Sequence, residues 1–341
     1  MRTLHDVPEA TRIEFAQKVN ENADLTWKAN SYSQIEMEKL SNRPQFAFAQ
    51  TRAFGQGNDF YEVLDEAQLF LKDGPDAIED YELDEEFDWS NFRGHDFVGP
   101  TRDQKSCGSC YMIATITMLE SRIKLWYGEE KSLSSQMPLQ CNFLTEGCHG
   151  GWGLLAGMFL ESYYTVEDNR APYKAATTEH TCSQFANLEP AASVESTYYV
   201  GGAYGEMTEE KLMKEIRARG PVLFDFNAGY EFMTFQSGVL TEQMPHGATV
   251  AEMSNPNIST TSQNDHGIQY QKLTHSTLVI GWGVDNNGMR YWKVRNSYGP
   301  TWGEHGCFNV RRGHNDFGGE GENAGVIPIC HTCINERADK W

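Results

Sequence analysis

Apolar and polar positions divide the chain into a helical first half and a strand-rich second half. From Tyr111, apolar side chains recur every three or four residues until Gly128, which predicts an amphipathic buried helix. Cys110 therefore lies at the start of that helix. A second helix is predicted over 209–219, where a Gly-Pro pair ends the pattern.

Beyond that pair, the period changes to the one typical of strands. Apolar segments separated by glycine-containing turns predict strands at 222–226, 276–283, 290–296 and 307–312. Helices followed by strands predict an α+β protein whose two halves pack together and leave a cleft between them. Residues 241–272 are polar and lack a clear period, so we predict a long surface loop there.

The first 75 residues carry only a weak, polar helical pattern and indicate an appendage. Eight acidic side chains fall within residues 76–88, a pattern typical of a solvated linker or processing site. A denser region begins at Asp88 and Trp89. The chain has no run of about 18 apolar residues, so no membrane span is expected, and its first 30 residues are too polar for a secretory signal.

Charge and cysteine content narrow the classes of function. With 48 acidic against 28 basic residues, the formal charge is −20, which disfavours binding to nucleic acid or to anionic membranes. Eight cysteines are many for a cytosolic protein and ordinary for one from an oxidising compartment. We give the cysteines more weight than the lack of a visible signal peptide, because cysteine placement belongs to the fold.

Four residues supply the groups that a thiol-dependent reaction needs. At a helix start, Cys110 faces unpaired amide groups and the positive end of the dipole, which favours its thiolate. His275 opens an apolar strand, a position where a lone histidine is more often structural than catalytic. Asn296 closes the next strand and could fix the tautomer of His275, and Gln104 could help stabilise an oxyanion. Together they make a nucleophile, a base, an orienter and an oxyanion donor.

Four motifs in this order resemble the papain family of cysteine peptidases. They are QKSCGSCY (104–111), CNFLTEGCHGG (141–151), THSTLVIGWG (274–283) and YWKVRNSYGPTWGEHG (291–306). The likeness covers residues 83 to about 329. The cathepsin C branch of the family is most similar to two segments, DWSNFRGHDFVGPTRDQKSCGSCY and YYVGGAYG. The likeness implies a papain-like peptidase domain at 83–329, with a mainly helical left lobe (83–220), a β-barrel-like right lobe (221–329) and a cleft between them. Residues 330–341 then form a C-terminal tail.

The resemblance also implies roles for individual residues. The catalytic set would be nucleophile Cys110, ion-pair partner His275, orienter Asn296 and oxyanion donor Gln104. The substrate cleft would be lined by Gly150, Gly151 and Trp302. Tyr298 stands where the family usually has tryptophan, which would loosen the shield over the bond between His275 and Asn296.

Disulfides are implied in the same way. The resemblance pairs Cys107 with Cys148 and Cys141 with Cys182. It leaves Cys307, Cys330 and Cys333, from which we expect one further disulfide and one free thiol without choosing the pair. The alternative is a zinc site built from the two Cys-x-x-Cys units at 107–110 and 330–333. We disfavour it because no histidine ligand is forced, and expect no metal.

Residues 1–82 are expected to be a propeptide that ends in the acidic linker. The segment VNENADLTWKA (19–29) resembles propeptide segments of cathepsins B and C, and cleavage near Leu83 would free the mature N-terminus. Residues 1–75 are too short for the exclusion domain of cathepsin C, so a separate chain or a larger assembly could supply one. Chloride is possible by resemblance, but the segment after Gly151 lacks a tyrosine found near the chloride site of that enzyme.

The expected function is hydrolysis of peptide bonds in peptide or protein substrates through a thioester acyl-enzyme. The resemblance leaves open whether the enzyme is a dipeptidyl peptidase or an endopeptidase, and it implies a lysosomal, vacuolar or secreted location. The alternative from another class is a latent or inactive protein of the same fold that serves a structural or binding role in a larger assembly.

Overall fold

The computed structural model describes residues 9–23, 25–30, 60–177, 182–203, 205–242, 262–263, 269–270 and 273–334. Its helices are α1 (Glu9–Glu21), α2 (Phe60–Ala67), α3 (Cys110–Tyr127), α4 (Gln136–Cys141), α5 (Gly153–Ser162), α6 (Glu209–Arg219) and α7 (Tyr230–Met233). Its strands are β1 (Trp27–Ala29), β2 (Phe87–Asp88), β3 (Ala192–Tyr199), β4 (Val222–Phe226), β5 (Phe235–Leu240), β6 (Ser262–Gln263), β7 (Gln269–Tyr270), β8 (His275–Val284), β9 (Arg290–Arg295), β10 (Cys307–Arg311) and β11 (Ala324–Cys330). Apart from β6 and β7, nearly all of the predicted loop at 241–272 lies outside the described residues, as does the tail after residue 334.

The predicted buried helix is α3, which begins at Cys110 as its sequence indicates. Ile116, Leu119 and Ile123 are fully buried along it, because apolar positions three or four residues apart share one face. The helix ends at Gly128, whose φ of 72° gives the left-handed cap that glycine adopts most easily. None of the helices within the described ranges combines the length and apolar character that a membrane span requires.

A seven-stranded sheet forms the second half of the molecule in the order β1-β5-β10-β9-β8-β2, with β4 also paired to β8. The first half of β8 pairs with β4, and its second half pairs with β2 on the same edge. Strand β9 covers its other edge. All four predicted strands are present, so the α+β class is confirmed. His275 lies at the start of β8, directly opposite Phe226.

The two lobes exchange segments across the predicted boundary at residues 220 and 221. Strand β2 comes early in the chain but pairs with β8 of the large sheet. Strand β11 comes late, pairs with β3 and packs on α3 of the helical half. The sequence order of helices and strands did not reveal this exchange, because a strand is placed by the partner that completes its hydrogen bonds.

The N-terminal segment adds a strand to the large sheet. Strand β1 pairs antiparallel with β5, with Trp27 opposite Gly238. A side chain at Gly238 would meet the carbonyl oxygen of Thr26 at 2.3 Å, so this close approach needs glycine. Asn20 of α1 exchanges two hydrogen bonds with the backbone of Ala29, at 2.9 and 3.0 Å. Helix α1 and strand β1 therefore form one unit that docks on the sheet edge.

A buried ion pair joins both halves of the molecule. Arg122 of α3 is completely buried and donates to Glu215 of α6 at 3.0 Å. Its guanidinium also donates to the carbonyl oxygens of Pro221 and Val326 and to the hydroxyl of Tyr198. Because a buried charge is tolerated only when it is paired and hydrogen-bonded, this network fixes α3 relative to both lobes.

We expect Glu215→Ala to lower the free energy of unfolding by about 3–5 kcal/mol, because it leaves the charge of Arg122 buried without its partner. The measurement is urea denaturation of the full chain, carried out in a Cys110→Ser background that prevents self-cleavage. The matched control is Glu210→Ala on the same helix, which breaks an exposed ion pair with Lys214 and should change the value by at most about 1 kcal/mol. Equal effects of the two substitutions would contradict a role for burial.

Candidate active site

His275 and Asn296 meet at the ends of two paired strands. His275 Nε2 lies 2.8 Å from Asn296 Oδ1, and the amide N–H of Ser297 donates to the same oxygen at 2.8 Å. An amide oxygen only accepts hydrogen bonds, so Nε2 carries the proton. His275 Nδ1 is then the ring nitrogen left free to accept a proton.

Cys110 lies beside the start of β8. The backbone amide of Ser276, which follows His275 directly in the chain, lies near enough to the Cys110 sulfur to lower the pKa of its thiol. The thiol is half-buried and belongs to no disulfide. The start of α3 and the start of β8 therefore bring the predicted nucleophile and the predicted base to one place.

Gln104 is held close to this thiol by three hydrogen bonds. Its Nε2 donates to the carbonyl oxygen of Cys107 at 3.0 Å, and its Oε1 accepts from the hydroxyl of Ser297 at 2.6 Å. Its own amide donates to the carbonyl oxygen of Ser297 at 2.8 Å. With Oε1 fixed as an acceptor, the amide nitrogen of the side chain is oriented and keeps a second N–H for another acceptor.

The turn that enters α3 is fixed by a disulfide and a glycine. Cys107 is bonded to Cys148, and the amide of Gly108 donates to the carbonyl oxygen of Cys148 at 2.9 Å. A side chain at Gly108 would meet that same oxygen at 2.7 Å. The second implied pair, Cys141 and Cys182, is also bonded in the structure. The two cysteines of the CGSC segment thus differ, since one is cross-linked and the other is free.

Gly150 and Gly151 form a partly exposed wall after this turn. Gly150 has a φ of 122°, a conformation that other residues rarely adopt. A side chain at Gly151 would meet Thr145 at 2.7 Å and the ring of Tyr111 at 2.8 Å. The following Trp152 is 51% exposed, so the surface beside the wall is open and apolar.

Trp302 is buried, which corrects its predicted place in the cleft. Only 2% of it is exposed, and its ring packs against Phe232 and Tyr298 with centroids 4.9 and 5.6 Å away. Tyr298 in turn lies 5.1 Å from the ring of His275. Trp302 therefore supports the residue that covers His275, and Tyr298 is the aromatic contact that the histidine itself makes.

Burial governs the protonation of the two reactive groups. It raises the pKa of the Cys110 thiol to about 11, although hydrogen bonds from the Ser276 and Tyr111 amides act in the opposite direction. It lowers the pKa of His275 to about 4, against the effect of the bond to Asn296. Desolvation therefore acts against the helix start, which favours the thiolate. Taken one at a time, both groups are neutral in this state.

Asp225 is a site residue that sequence reasoning missed. It is 5% exposed in β4, directly opposite Ser276, whose hydroxyl donates to Asp225 Oδ1. Burial raises its pKa to about 7, and its negative charge contributes to the raised pKa of Cys110. The available signal was an acidic residue inside the otherwise apolar strand VLFDF.

The remaining cysteines form a disulfide between Cys330 and Cys333 and leave Cys307 as a buried thiol. The guanidinium of Arg295 donates to the Cys307 sulfur at 3.2 Å. Because Cys107, Cys330 and Cys333 are all cross-linked, the two Cys-x-x-Cys units cannot supply four thiolates to zinc. Elsewhere within the described ranges, no group of three or more metal-ligating side chains comes together.

Comparison with known sequences places this site in a family. The sequence model described as "Papain family cysteine protease" matches residues 83–327. Cathepsin C of Schistosoma mansoni is 31% identical over 257 residues, which is 72% of this chain and 51% of that protein. Fruit bromelain of Ananas comosus is 30% identical over 228 residues, which is 66% of this chain and 54% of that protein. The chain thus spans about half the length of the curated relatives it matches.

Solved structures agree on the fold. Digestive procathepsin L 3 from the larval midgut of Tenebrio molitor covers 95% of this chain and 91% of its own, with a TM-score of 0.64 and 22% identity. The bromelain protease from Ananas comosus in complex with the E64 inhibitor covers 72% of this chain and 99% of its own, with a TM-score of 0.56 and 25% identity. The two-lobed papain-like fold is confirmed, and the likeness in fold to the procathepsin extends over the N-terminal segment. The chain belongs to the papain family of cysteine peptidases.

Proposed function

We propose that this chain hydrolyses peptide bonds with Cys110 as nucleophile and His275 as its base. The observation that carries the proposal is the convergence of two elements. The amide of Ser276 lies beside the Cys110 sulfur, while Asn296 binds Nε2 of His275 and leaves Nδ1 to accept the proton of the thiol. The Cys-His-Asn set is the arrangement that thiol-dependent acyl transfer needs.

The proposed reaction starts from the neutral pair. Proton transfer from the Cys110 sulfur to His275 Nδ1 creates two opposite charges together, and each stabilises the other in the buried site. The thiolate attacks the substrate carbonyl, and the oxyanion accepts hydrogen bonds from the side-chain amide of Gln104 and the backbone amide of Cys110. The imidazolium then protonates the leaving amine, which gives a thioester. Water, deprotonated by His275, hydrolyses this thioester and restores the thiol.

Residues 1–82 are proposed to be the propeptide, with removal near Leu83 giving the mature domain. Its docking through β1 on the edge of β5 supports a segment that binds the enzyme non-covalently. Asp84, Glu85 and Glu86 are exposed, so a peptidase could reach the chain just after Leu83. Exposed, charged segments are preferred sites of proteolytic cleavage.

A cathepsin C-like activity is the finer proposal, supported by the 31% identity to the cathepsin C of Schistosoma mansoni. Substrates are proposed to be peptides or proteins, cleaved either as dipeptides from a free N-terminus or internally. The disulfides support an oxidising compartment, and we propose a lysosomal, vacuolar or secreted location.

We expect E64, the inhibitor in the bromelain complex, to label Cys110 once the propeptide has been removed. The measurement is intact-mass and peptide mass spectrometry of the protein at mildly acidic pH. The control is Cys307→Ala, which removes the buried free thiol and should leave labelling and peptidase activity unchanged. Undiminished peptidase activity in Cys110→Ala would overturn the proposal.

The same intact-mass measurement tests the latent alternative. A native fragment that starts near Leu83 supports an active, processed enzyme. Full-length chain alone, with no label at Cys110, would instead support a protein locked by its propeptide.

We expect Asn296→Ala to lower kcat/KM by roughly 10- to 150-fold, because it removes a hydrogen bond to a group that becomes charged, worth about 1.5–3 kcal/mol. Asn296→Gln, which keeps the amide but moves it, should recover little of the rate. The measurement is steady-state hydrolysis of a fluorogenic peptide. A rate within about twofold of the parent would show that the ring of His275 needs no such bond.

We expect the buried, neutral His275 to make stability fall with pH below neutrality. Its pKa is about 4 in the folded chain and about 6.5 when unfolded, so the unfolded state binds more protons between these values. The free energy of unfolding therefore rises with pH between these two pKa values. It decreases as the pH falls from the higher value to the lower one. Between pH 7.5 and 4, a Cys110→Ser chain should lose about 3 kcal/mol more than the same chain with His275→Gln. Urea denaturation at a series of pH values measures the difference, and parallel curves would contradict it.

A further inference from the structure

We infer that Asp225 makes the cleft select substrates with a positively charged group on the acyl side of the scissile bond, within about two residues of it. This inference rests on the proposed peptidase function. It goes further by assigning a substrate chemistry to one buried carboxyl group.

Asp225 lies in the sheet beside the residues of the active site. In the pairing of β4 with β8, Asp225 lies opposite Ser276 and its neighbour Phe226 lies opposite His275. The Ser276 amide lies near the Cys110 sulfur, and the Ser276 hydroxyl donates a hydrogen bond to Asp225 Oδ1. One residue thus lies beside both the nucleophile and the carboxyl group.

The side chain of Asp225 lies on the face of β4 that is turned toward the other lobe. Side chains alternate along a strand, so Asp225 shares a face with Leu223, while Phe224 and Phe226 share the other. Phe226 packs within the aromatic group of Phe232 and Phe308 inside the β lobe. The side chain of Leu223 instead lies against Gly153, only two residues after the glycine wall at 150–151. The face that carries Asp225 is therefore turned to the junction of the two lobes, where the cleft lies.

Within the described part of the chain, Asp225 has no positively charged partner. Among the described residues, Asp225 receives one hydrogen bond, from Ser276, and forms no ion pair with lysine or arginine. Glu322 also acts on Asp225, and its negative charge raises the pKa of that carboxyl group further. A carboxylate buried in this way is stabilised by a cation that enters from outside, because desolvated charges need a paired charge.

The chemistry of the selected substrate group follows from how far that group can lie from the scissile bond. An extended peptide advances about 3.3 Å per residue, so a group on the second residue from the scissile bond lies within a few ångströms of the sulfur. Two sources supply a cation at that distance, namely a lysine or arginine side chain and the free α-ammonium of a substrate that ends there. Both would form a charge-assisted hydrogen bond with Asp225.

The experiment uses two matched pairs of fluorogenic substrates and measures kcat/KM at pH 7.5 with the processed enzyme. The first pair is acetyl-Lys-Gly-aminocoumarin against acetyl-norleucyl-Gly-aminocoumarin, which differ only by the ammonium group. The second pair is Gly-Phe-aminocoumarin with a free or an acetylated N-terminus. The variants are the parent, Asp225→Asn, which keeps the acceptor for Ser276, and the control Glu195→Gln, an exposed acid on β3.

We expect the parent and Glu195→Gln to prefer the charged member of at least one pair by tenfold or more. Asp225→Asn should reduce that preference about tenfold, and the ratio within each pair is compared so that any common effect on the thiol cancels. A preference confined to the first pair identifies a basic side chain, and one confined to the second pair identifies the α-ammonium group. Either outcome supports the inference.

Two results would overturn it without depending on how the variant folds. A ratio near one in both pairs for the parent enzyme excludes selection of a cation. An equal loss on all four substrates in Asp225→Asn indicates a merely structural acid. By contrast, a parent that labels with E64 but hydrolyses none of the four substrates, and no denatured protein, contradicts the proposed function itself, and this inference falls with it.

Discussion

The contact between the start of α3 and the start of β8 is the constraint on which the rest of the structure depends. One end of a long buried helix must meet one end of a central strand so that the sulfur of Cys110 lies near the backbone of Ser276. Three features hold this meeting in place. The Cys107–Cys148 disulfide fixes the turn before the helix, β4 and β9 flank the strand, and Arg122 ties the helix to both lobes. Loss of any one of these features would displace the Cys110 sulfur relative to the start of β8.

Burial shapes the chemistry of this contact more than the helix start does. A thiol exposed at a helix N-terminus would titrate low, yet here the pKa of Cys110 rises and that of His275 falls. Both shifts have one cause, the removal of water from isolated charges. A site that disfavours each single charge still permits both together, so protonation of the pair is a joint property. The covering rings of Tyr298 and Phe232 are part of this arrangement.

The sequence predicted much of this, and the failures have physical reasons. Local periodicity was enough for α3, for α6 and for the four strands, because each has a regular buried face. The exchange of β2 and β11 between lobes was not predictable from local pattern, since strand partners are chosen across the whole chain. Trp302 was predicted to line the cleft, but it is buried against Tyr298. A sequence motif does not indicate which of two neighbouring aromatic rings faces the cleft. Asp225 was overlooked because its meaning depends on the strand opposite it.

The docking of β1 has a consequence for the proposed removal of the N-terminal segment. Strand β5 has β10 on one side and β1 on the other, so departure of the N-terminal segment turns β5 into an edge strand with unpaired amide and carbonyl groups. Exposed edges invite pairing with strands of other chains, and irregular backbone is one way in which proteins prevent it. Gly238, with a φ of 94°, interrupts β5 in the middle of this edge. The glycine that admits the N-terminal strand would therefore also protect the processed protein against aggregation.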